Sequence, residues 1–430
     1  MTMPREQEST MRILIASHYL PWPLNSGGNA AQFSTLKCLA EDHQFTLVCP
    51  VYTEAEFLHV NELQRQLPQV YIRPVCYNKA TRTRFLARIV RFIRGGRLLD
   101  LSAHQHPEPP GMGRPYYPFL PLPENLILVL QEELSKGTDL FQAEFVEMLP
   151  LGAWIPENIP KLFIHYQIHF VYSDRFLTTR GRDGYSDYLN AAMRVQEVAY
   201  LQNFEGVITL SEEDRQCLVP YVAPEKLFVS PFPIPADIGI ATDLPQRFDG
   251  RFLLVASEGH APNRDALAWL LADVWPKIKS KLPLARLLVV GEWSESAKIR
   301  HSTAGLSFLG FIPELATTLR GGILLVPLRI GSGIRVKIMV ALAQGVPVIS
   351  TTVGCEGLQV KDGQEILVRD DPQEFSKAAI QLAQDPELWR RLAVKGRTAA
   401  TDYYSPEVVR RRRNEIYAEL AENHRRARAP

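Results

Sequence analysis

Short apolar runs alternate with longer amphipathic stretches along the chain, and the first such unit lies near the N-terminus. The run at 12–17 is followed by a loop containing Gly27 and Gly28, and then by a stretch of helical periodicity at 29–43. A second apolar run follows at 45–51. Short continuous apolar runs are typical of buried strands, so this order predicts a strand, a helix and a second, parallel strand.

The same alternation continues to about residue 234 and begins again at 251, after a stretch that contains Pro and Asp. In the second half the apolar runs are RFLLVAS, RLLVVGEW, LSFLGF, GGILLVPL, VPVISTT and EILV. We therefore predict an α/β protein with two doubly wound, Rossmann-like domains, at 1–235 and 236–405, that face each other across a cleft. Ligands are expected at the carboxyl ends of the strands.

The segment GSGIRVKIMVALAQGVPV has the pattern of a glycine loop, a helix and a strand. Ser332 is predicted as the N-cap of the helix, and Gly345 is predicted to end it. Arg335 and Lys337 fall in the first turn, where the helix dipole makes cations unfavourable by about 0.3 to 1 kcal/mol each. An anion with more than one negative charge, such as a diphosphate, would offset this at the helix start. The alternative is that both side chains point to solvent.

Other residues with chemical potential lie in loops at strand ends. Gly27 and Gly28 precede a helix, where glycine lets backbone approach a ligand closely, although a plain turn has the same composition. Asn263 is predicted to cap the first helix of the second half. His165 and His169 follow a buried strand without a third ligand or a zinc-motif glutamate beside them, so we predict no metal site and no cofactor.

Composition narrows the class of protein. The 430 residues carry 48 basic and 47 acidic side chains, a net charge of +1, so no overall field favours nucleic acid as a partner. The five cysteines include no C-x-x-C pair, which disfavours a disulfide framework. The sequence shows neither a signal-peptide pattern nor an apolar run of the ~18 residues needed to span a bilayer. We therefore predict a cytoplasmic protein.

Two basic segments, at 81–99 and 406–430, alternate arginine with apolar residues at roughly helical spacing. One hypothesis is that 81–99 lies on an anionic membrane surface, which would make the protein peripheral at the inner face of the membrane. The other, which we favour for both segments, is a helix that turns its apolar side to the core and its arginines to water.

The second half resembles the donor domain of GT-B glycosyltransferases of group 1, the retaining family 4 enzymes. The segments that carry the resemblance are APNRDALAWLLADVWPKI, RLLVVGEW, LSFLGFI and LLVPLRIGSGIRVKIMVALAQGVPVISTTVGCEGL. In the first half, RILIASHYLPWPLNSGGNAAQ, FIHYQIHFV and VITLSEEDRQCL agree with it. The resemblance implies metal-independent transfer of a sugar from a nucleotide-diphosphate sugar to a glycan or lipid-linked acceptor. It also implies that the helix after 406 packs back on the first domain.

The resemblance further implies roles for particular residues. His165 would contact the donor sugar, while Arg335 and Lys337 would neutralise the diphosphate and stabilise the leaving nucleotide. Gly27 and Gly28 would approach the phosphates. The remaining donor-binding candidates are Asn263, Gly310, Phe311, Ile312, Ser332, Gly333 and Glu356.

Among these candidates, residues 310–312 would lie beside the base, and Glu356 would either contact the donor or close a turn. The paired glutamates of the family fall at Ser332 and Val340, and neither residue is a carboxylate. Two main hypotheses follow: a retaining glycosyltransferase, or a catalytically reduced GT-B protein that binds a glycan or a partner protein. A nucleotide-sugar epimerase is a third, although its carboxylate and histidine constellation is not visible in the sequence.

Overall fold

The structure is a computed structural model that describes residues 10–24, 27–76, 117–235, 237–245, 247–331 and 333–428. The basic segment 81–99 and the predicted N-cap Ser332 lie outside the described residues. Two parallel sheets form the centre of the described part. The predicted fold class, two Rossmann-like α/β units, is confirmed.

The first sheet contains seven strands. They are β1 (Arg12–Ser17), β2 (Gln44–Val51), β3 (Val70–Cys76), β4 (Leu140–Glu144), β5 (Lys161–His165), β6 (Gly206–Thr209) and β7 (Leu227–Val229). They pair in the spatial order β3, β2, β1, β4, β5, β6, β7. Because the strand order reverses between β1 and β4, the crevice outside their carboxyl ends is where such sheets bind ligands.

Helices cover the first sheet. They are α1 (Gly27–Leu39), α2 (Glu54–Gln66), α3 (Glu124–Ser135), α4 (His169–Arg180), α5 (Gly184–Leu201) and α6 (Glu212–Leu218). Short 3₁₀ helices follow β4 at Val146–Ala153 and precede β7 at Pro224–Lys226. Asp183 and Ser211 cap α5 and α6, because their side chains accept hydrogen bonds from backbone N–H groups of the first turns.

The second sheet contains six strands. They are β8 (Arg251–Val255), β9 (Arg286–Val290), β10 (Leu306–Gly310), β11 (Ile323–Val326), β12 (Val348–Ser350) and β13 (Leu367–Val368). They pair in parallel in the order β10, β9, β8, β11, β12, β13. The order reverses between β8 and β11, so a second ligand-binding crevice opens at their carboxyl ends.

The helices that follow β8 cover the second sheet, and the last one leaves it. They are α7 (Ala261–Trp269), α8 (Trp275–Lys281), α9 (Glu295–Arg300), α10 (Leu315–Leu319), α11 (Val336–Ala343), α12 (Thr352–Cys355), α13 (Pro372–Gln384), α14 (Pro386–Tyr404) and α15 (Pro406–Ala427). A π-helical turn at Leu270–Val274 joins α7 to α8.

Burial on both faces explains why the strands are continuous apolar runs. Ile13 and Ile15 of β1 pack into one core cluster of the first sheet, whereas Leu14 and Ala16 pack into the cluster on its other face. Successive side chains of a strand point to opposite faces, so a strand covered on both sides needs apolar residues at every position.

The C-terminal helix α15 packs against the first sheet, although it follows the second sheet in sequence. The Tyr417 hydroxyl donates to Oε1 of Gln142 at 2.8 Å, and Nε of Arg410 donates to Oδ2 of Asp42 at 2.6 Å. The buried side chains of Tyr417 and Leu420 join the core of the first sheet. Among the described helices, including α15, none has the length and apolarity needed to cross a membrane.

Candidate functional site

The carboxyl ends of the two sheets face each other, and loops from both meet there. A Cβ atom at Gly333, where φ is +75°, would lie 2.9 Å from the carbonyl oxygen of Tyr166 at the end of β5. A Cβ at Gly27 would lie 3.6 Å from Cγ2 of Val336, the first residue of α11. Glycine at 333 therefore allows a closer approach of the two loops than other residues would.

Arg335 immediately precedes α11, where it occupies the N-cap position without a side-chain capping bond. The predicted N-cap at Ser332 is therefore wrong, because the helix begins at Val336. The guanidinium of Arg335 folds back over the loop, donating to the carbonyl oxygen of Gly333 at 2.7 Å. Glycine at 331 leaves room for it, since a Cβ there would lie 2.4 Å from Nη2 of Arg335. The predicted end of α11 is confirmed by Gly345, with φ of +63°.

Lys337 extends from the first turn of α11 toward the end of β8. Its ammonium group donates to the carbonyl oxygen of Val255 and lies 3.4 Å from Oδ1 of Asn263. Burial, and secondarily the charge of Arg335, lowers the pKa of Lys337 from 10.5 to about 7. A desolvated ammonium near a second cation strongly favours a nearby anion.

Asn263 lies beside Lys337 but does not cap its helix as predicted. Helix α7 begins at Ala261 with His260 in the N-cap position, so Asn263 falls inside the first turn. Its Nδ2 donates to the carbonyl oxygen of Ser257 at 3.1 Å. This bond fixes the loop after β8, and it turns Oδ1 of Asn263 toward Lys337.

Two further basic side chains lie at the start of α7, and the sequence did not single them out. The pKa of His260 is lowered, first by burial and then by the charges of Lys337, Arg335 and Arg264. Arg264 is held in place by donation to the carbonyl oxygen of Glu258 at 2.6 Å. The spacing of four between His260 and Arg264 was the available signal, because it places both on one side of a helix start.

The charges at the beginning of α11 are therefore mostly positive on the side of the second sheet. The charges of Lys337, Arg335 and Arg264 act on His260, and that of Arg335 acts on Lys337. The carboxylates of Glu356 and Asp214 act on Arg335 from the other side. Tyr172 of α4 faces them from the first sheet, since its pKa responds to Arg335 and Arg264, although burial raises it overall. An anion bound here would offset the mutual repulsion of the cations and would gain charge-assisted hydrogen bonds.

His165, at the end of β5, is almost fully buried, with 1% of its surface exposed. Its Nε2 lies 2.9 Å from Oε1 of Glu197 on α5, although the two atoms are not aligned for a hydrogen bond. Glu197 also accepts hydrogen bonds from the backbone N–H groups of His169 and Phe170 at 2.9 and 3.0 Å. Glu197 thus fixes the start of α4 and lies against the His165 ring. The sequence analysis missed Glu197 because no local pattern joins it to His165.

Glu356 forms an ion pair across the cleft, which the sequence analysis did not predict. Both terminal nitrogens of the Arg175 guanidinium, on α4, donate to the carboxylate of Glu356, with Nη2 at 2.7 Å from Oε1. Arg175 also donates to the carbonyl oxygen of Gly331 at 2.9 Å. Glu356 therefore faces the cleft, but in this structure its partner is a residue of the first sheet.

A buried carboxylate, Asp214 in the first turn of α6, lies close to the same ion pair. Burial raises its pKa, while the hydrogen bond from Ser211 and the charges of His165 and Arg175 lower it. Within the described part of the chain, no group of three or more His, Cys, Asp or Glu side chains is placed to hold a metal ion.

The remaining predicted residues, Gly28 and 310–312, lie on different elements around the cleft. Gly28 is the second residue of α1, and a Cβ there would lie 3.7 Å from Phe145 in the cleft wall. Gly310 ends β10, the edge strand of the second sheet, with φ of +71°, and Phe311 is 55% exposed beside it. Ile312 continues that loop. The loop at 310–312 therefore lies two strands away from β8, at the rim of the cleft.

Val340 lies inside the hydrophobic core between α11 and the second sheet. It is 1% exposed and belongs to the same cluster as Ile338 and Leu342 of α11. No polar group is therefore presented by the side chain at this position.

Comparison with known proteins gives a family match for part of the chain. Residues 250–385 match the family model described as Glycosyl transferases group 1. This part of the chain is therefore similar to group 1 glycosyl transferases. The matched residues span β8 to α13 and include the cations at the start of α11.

Solved structures of similar fold extend the comparison to both sheets. HepE of Anabaena, crystallised with UDP, is 12% identical and has a TM-score of 0.64, with 95% of this chain and 100% of that chain covered. A variant of S. aureus TarM, crystallised with Fondaparinux, alpha-GlcNAc-glycerol and UDP, is 11% identical with a TM-score of 0.66 and the same coverage. Sucrose-phosphate synthase of Thermosynechococcus elongatus is 16% identical with a TM-score of 0.65, covering 96% and 100%. The fold is GT-B.

Proposed function

We propose that this group 1 glycosyl transferase domain protein moves a sugar from a nucleotide-diphosphate sugar to a glycan or lipid-linked acceptor, with retention and without a metal. The observation that carries the proposal is the cation group of Arg335, Lys337 and Arg264 at the start of α11. A diphosphate suits this group because it offers several charged oxygens to side chains and to helix N–H groups together.

The cations also suit the chemistry of transfer. When the bond between the anomeric carbon and the diphosphate oxygen breaks, its electron pair goes to the leaving nucleotide. Arg335 and Lys337 are already desolvated, so they stabilise that developing charge with little reorganisation. Side chains then supply the positive charge at the phosphates, and this motivates our proposal of a metal-independent reaction.

We propose that the donor sugar lies against His165, with Gly27 and Gly28 approaching the phosphates from the first sheet. The support for His165 is its position at a strand end, where Glu197 lies against its ring. We further propose that the base lies near residues 310–312, because Phe311 offers a half-exposed aromatic face there. The UDP in the HepE and TarM structures favours uridine as the base.

The proposal is tested by incubating the purified protein with UDP-, GDP- and ADP-sugars in the presence of a chelator and measuring nucleoside diphosphate release by chromatography. We expect slow hydrolysis of at least one donor, and its loss in the His165→Ala variant. Arg320→Ala is the matched control, because Arg320 pairs with Asp243 before β11, at the opposite end of the strand from the cleft. Absence of release and of thermal stabilisation with every donor would refute the enzyme hypothesis.

The alternative is a catalytically reduced GT-B protein that binds a glycan or a protein partner. Two observations favour it: Val340 presents no hydrogen-bond acceptor for a ribose, and Glu356 is paired with Arg175 rather than free for a donor. The same incubation separates the hypotheses, because the alternative predicts binding without any release of nucleotide.

We also propose that the protein works in a reducing compartment, the cytoplasm, and that the two domains meet near residue 235. The support for the compartment is that all five cysteines are free. The support for the boundary is that β7 ends at Val229 and the next sheet begins at Arg251.

A further inference from the structure

Three aromatic side chains form a continuous row on the first-sheet wall of the cleft. The ring of Tyr19 lies edge-on to Phe145 with centroids 4.8 Å apart, and Phe145 stacks on Tyr166 at 4.6 Å with only 9° between the planes. Tyr19 follows β1, Phe145 follows β4 and Tyr166 follows β5. We call Tyr19, Phe145 and Tyr166 the aromatic row. Tyr19 is its outer member, with 45% of its surface exposed.

The aromatic row is held rigidly in place. The Ser17 hydroxyl donates to the carbonyl oxygen of Tyr19 at 2.8 Å and accepts from its N–H at 3.2 Å. The Tyr166 hydroxyl donates to Oε2 of the buried Glu144 at 2.9 Å. Phe145 has φ of +71°, the one positive value among the non-glycine residues that the structure describes. Such strained backbone positions persist where the surrounding structure enforces them, and they concentrate at functional sites.

The aromatic row directly adjoins the proposed donor site. A Cβ at Gly28 would lie 3.7 Å from Cε1 of Phe145, and one at Gly333 would lie 2.9 Å from the carbonyl oxygen of Tyr166. The cations at the start of α11 belong to the opposite wall. Tyr19 is thus the exposed end of an aromatic row whose other two members border the loops that line the cleft.

The surroundings of Tyr19 combine an apolar face with polar groups. The His18 ring meets Tyr19 edge-on with centroids 4.7 Å apart. Nε2 of His18 lies 3.9 Å from Oε1 of Glu147, and both side chains are largely buried. A pyranose ring has the complementary chemistry, because its C–H face can lie on an aromatic ring while its hydroxyls reach polar groups at the rim. A hydrocarbon chain would gain nothing from His18 and Glu147.

We propose that Tyr19 is the stacking surface for the sugar ring of the acceptor, with the partly exposed His18 ring beside it hydrogen bonding to one sugar hydroxyl and the buried Glu147 lying behind His18. This inference rests on the proposed function, since it names the second substrate of the same cleft. It identifies the acceptor end as a pyranose rather than a lipid chain or a protein side chain.

The test uses methyl glycosides of glucose, galactose, mannose and N-acetylglucosamine as probes, with saturation-transfer NMR in the presence of UDP. We expect at least one glycoside to bind the wild type and Tyr19→Phe, which keeps the ring, and to bind Tyr19→Ala about tenfold more weakly. Tyr71→Ala is the matched control, because Tyr71 is a similarly exposed tyrosine on the edge strand β3. Equal binding to Tyr19→Ala, or no binding to the wild type, would overturn the inference.

Two further readouts separate the possible failures. Thermal stabilisation by UDP is measured on the same variants, and we expect it to be unchanged in Tyr19→Ala. If UDP stabilises every variant but glycoside affinity is the same with and without the Tyr19 ring, only the inference about Tyr19 fails. If neither UDP nor another nucleoside diphosphate stabilises the wild type, the proposed function fails with it. Octyl glucoside is added as a probe that carries both a pyranose and an alkyl chain. Saturation transfer confined to its alkyl chain would show that the surface binds a lipid rather than a pyranose, and would overturn the inference.

Discussion

Replacing Lys337 by methionine, which is unbranched and one atom shorter, tests the electrostatics of the cleft. In the unliganded protein the Lys337 ammonium is surrounded by the carbonyl oxygen of Val255, the amide oxygen of Asn263 and the charge of Arg335. The thioether of methionine removes the charge and keeps the apolar stem. The unliganded variant should therefore be more stable than the wild type at low pH, but it should bind a diphosphate less tightly.

The magnitude follows from the pKa of Lys337, which is lowered from 10.5 to about 7 in the folded protein. At ~1.4 kcal/mol for each pKa unit, charging this group in the folded state costs on the order of 5 kcal/mol. Because the folded pKa is the lower one, the unfolded chain binds the proton more tightly between these values. The free energy of unfolding of the wild type therefore rises with pH, by roughly 2.5 kcal/mol between about pH 6 and pH 9.

The assay is thermal unfolding of the wild type and Lys337→Met from about pH 6 to pH 9, with and without UDP. We expect the wild-type Tm to rise relative to the variant by roughly 3 °C over that range. The comparison isolates Lys337, because the other titrating groups are common to both proteins. UDP should reduce the pH dependence, since the bound diphosphate restores the lysine charge.

A second readout of the same perturbation is proton uptake. Near pH 8 the unliganded Lys337 is mostly neutral, so diphosphate binding should take up close to one proton, measured by calorimetry in two buffers of different ionisation enthalpy. The variant should take up none at this site. Parallel Tm profiles together with equal proton uptake in both proteins would refute the reasoning about Lys337.

Three other substitutions probe the packing of the cleft. Gly333→Ala places a Cβ 2.9 Å from the carbonyl oxygen of Tyr166, so we expect UDP binding to weaken about tenfold, and unchanged affinity would contradict the close approach. Arg175→Ala removes the ion pair with Glu356, so the free energy of unfolding should fall by about 1 kcal/mol and the radius of gyration in X-ray scattering should rise. An identical scattering curve would show that this ion pair does not hold the two sheets together. Val340→Glu buries a carboxylate in the core, so the free energy of unfolding should fall by about 3 kcal/mol; a Tm like that of the wild type would show that the side chain escapes to the cleft.

The fold was predictable because parallel strands covered on both faces leave a clear signal. Runs such as those at 12–17 and 251–255 are apolar at nearly every position, and helical stretches with polar faces separate them. The position of Arg335 and Lys337 beside a helix start was also predictable, since the glycines before the helix and at 345 mark its ends. Both signals are local in the sequence, so they can be recognised without knowledge of the fold.

Helix starts, and the partners that residues find across the cleft, were harder to predict from the sequence. The predicted caps Ser332 and Asn263 are wrong because a capping residue is defined by its backbone angles, and several polar residues near a glycine loop are equally plausible from sequence. Arg175 and Glu356, which are far apart in sequence, meet only when the two sheets face each other. The pairing of Glu197 with His165 depends on the packing of α5 in the same way.

The aromatic row illustrates a third limit. Tyr19 follows an apolar run, where an aromatic residue is ordinary, and nothing in the local sequence gives Phe145 a positive φ. The arrangement arises because β1, β4 and β5 are neighbours in the sheet, so the residues after their carboxyl ends converge. Convergence of strand ends is a property of the topology, and the sequence alone does not state the strand order.

We propose above all that Arg335 binds the diphosphate of a nucleotide donor. Isothermal titration of UDP, GDP and ADP into the wild type, Arg335→Ala and the control Arg320→Ala tests it most directly. We predict measurable affinity of the wild type and the control for at least one nucleotide, and a loss of roughly 10- to 100-fold in Arg335→Ala, as expected for charge-assisted hydrogen bonds of about 1.5 to 3 kcal/mol. Equal affinity of all three proteins, with Arg335→Ala folded, would contradict the account.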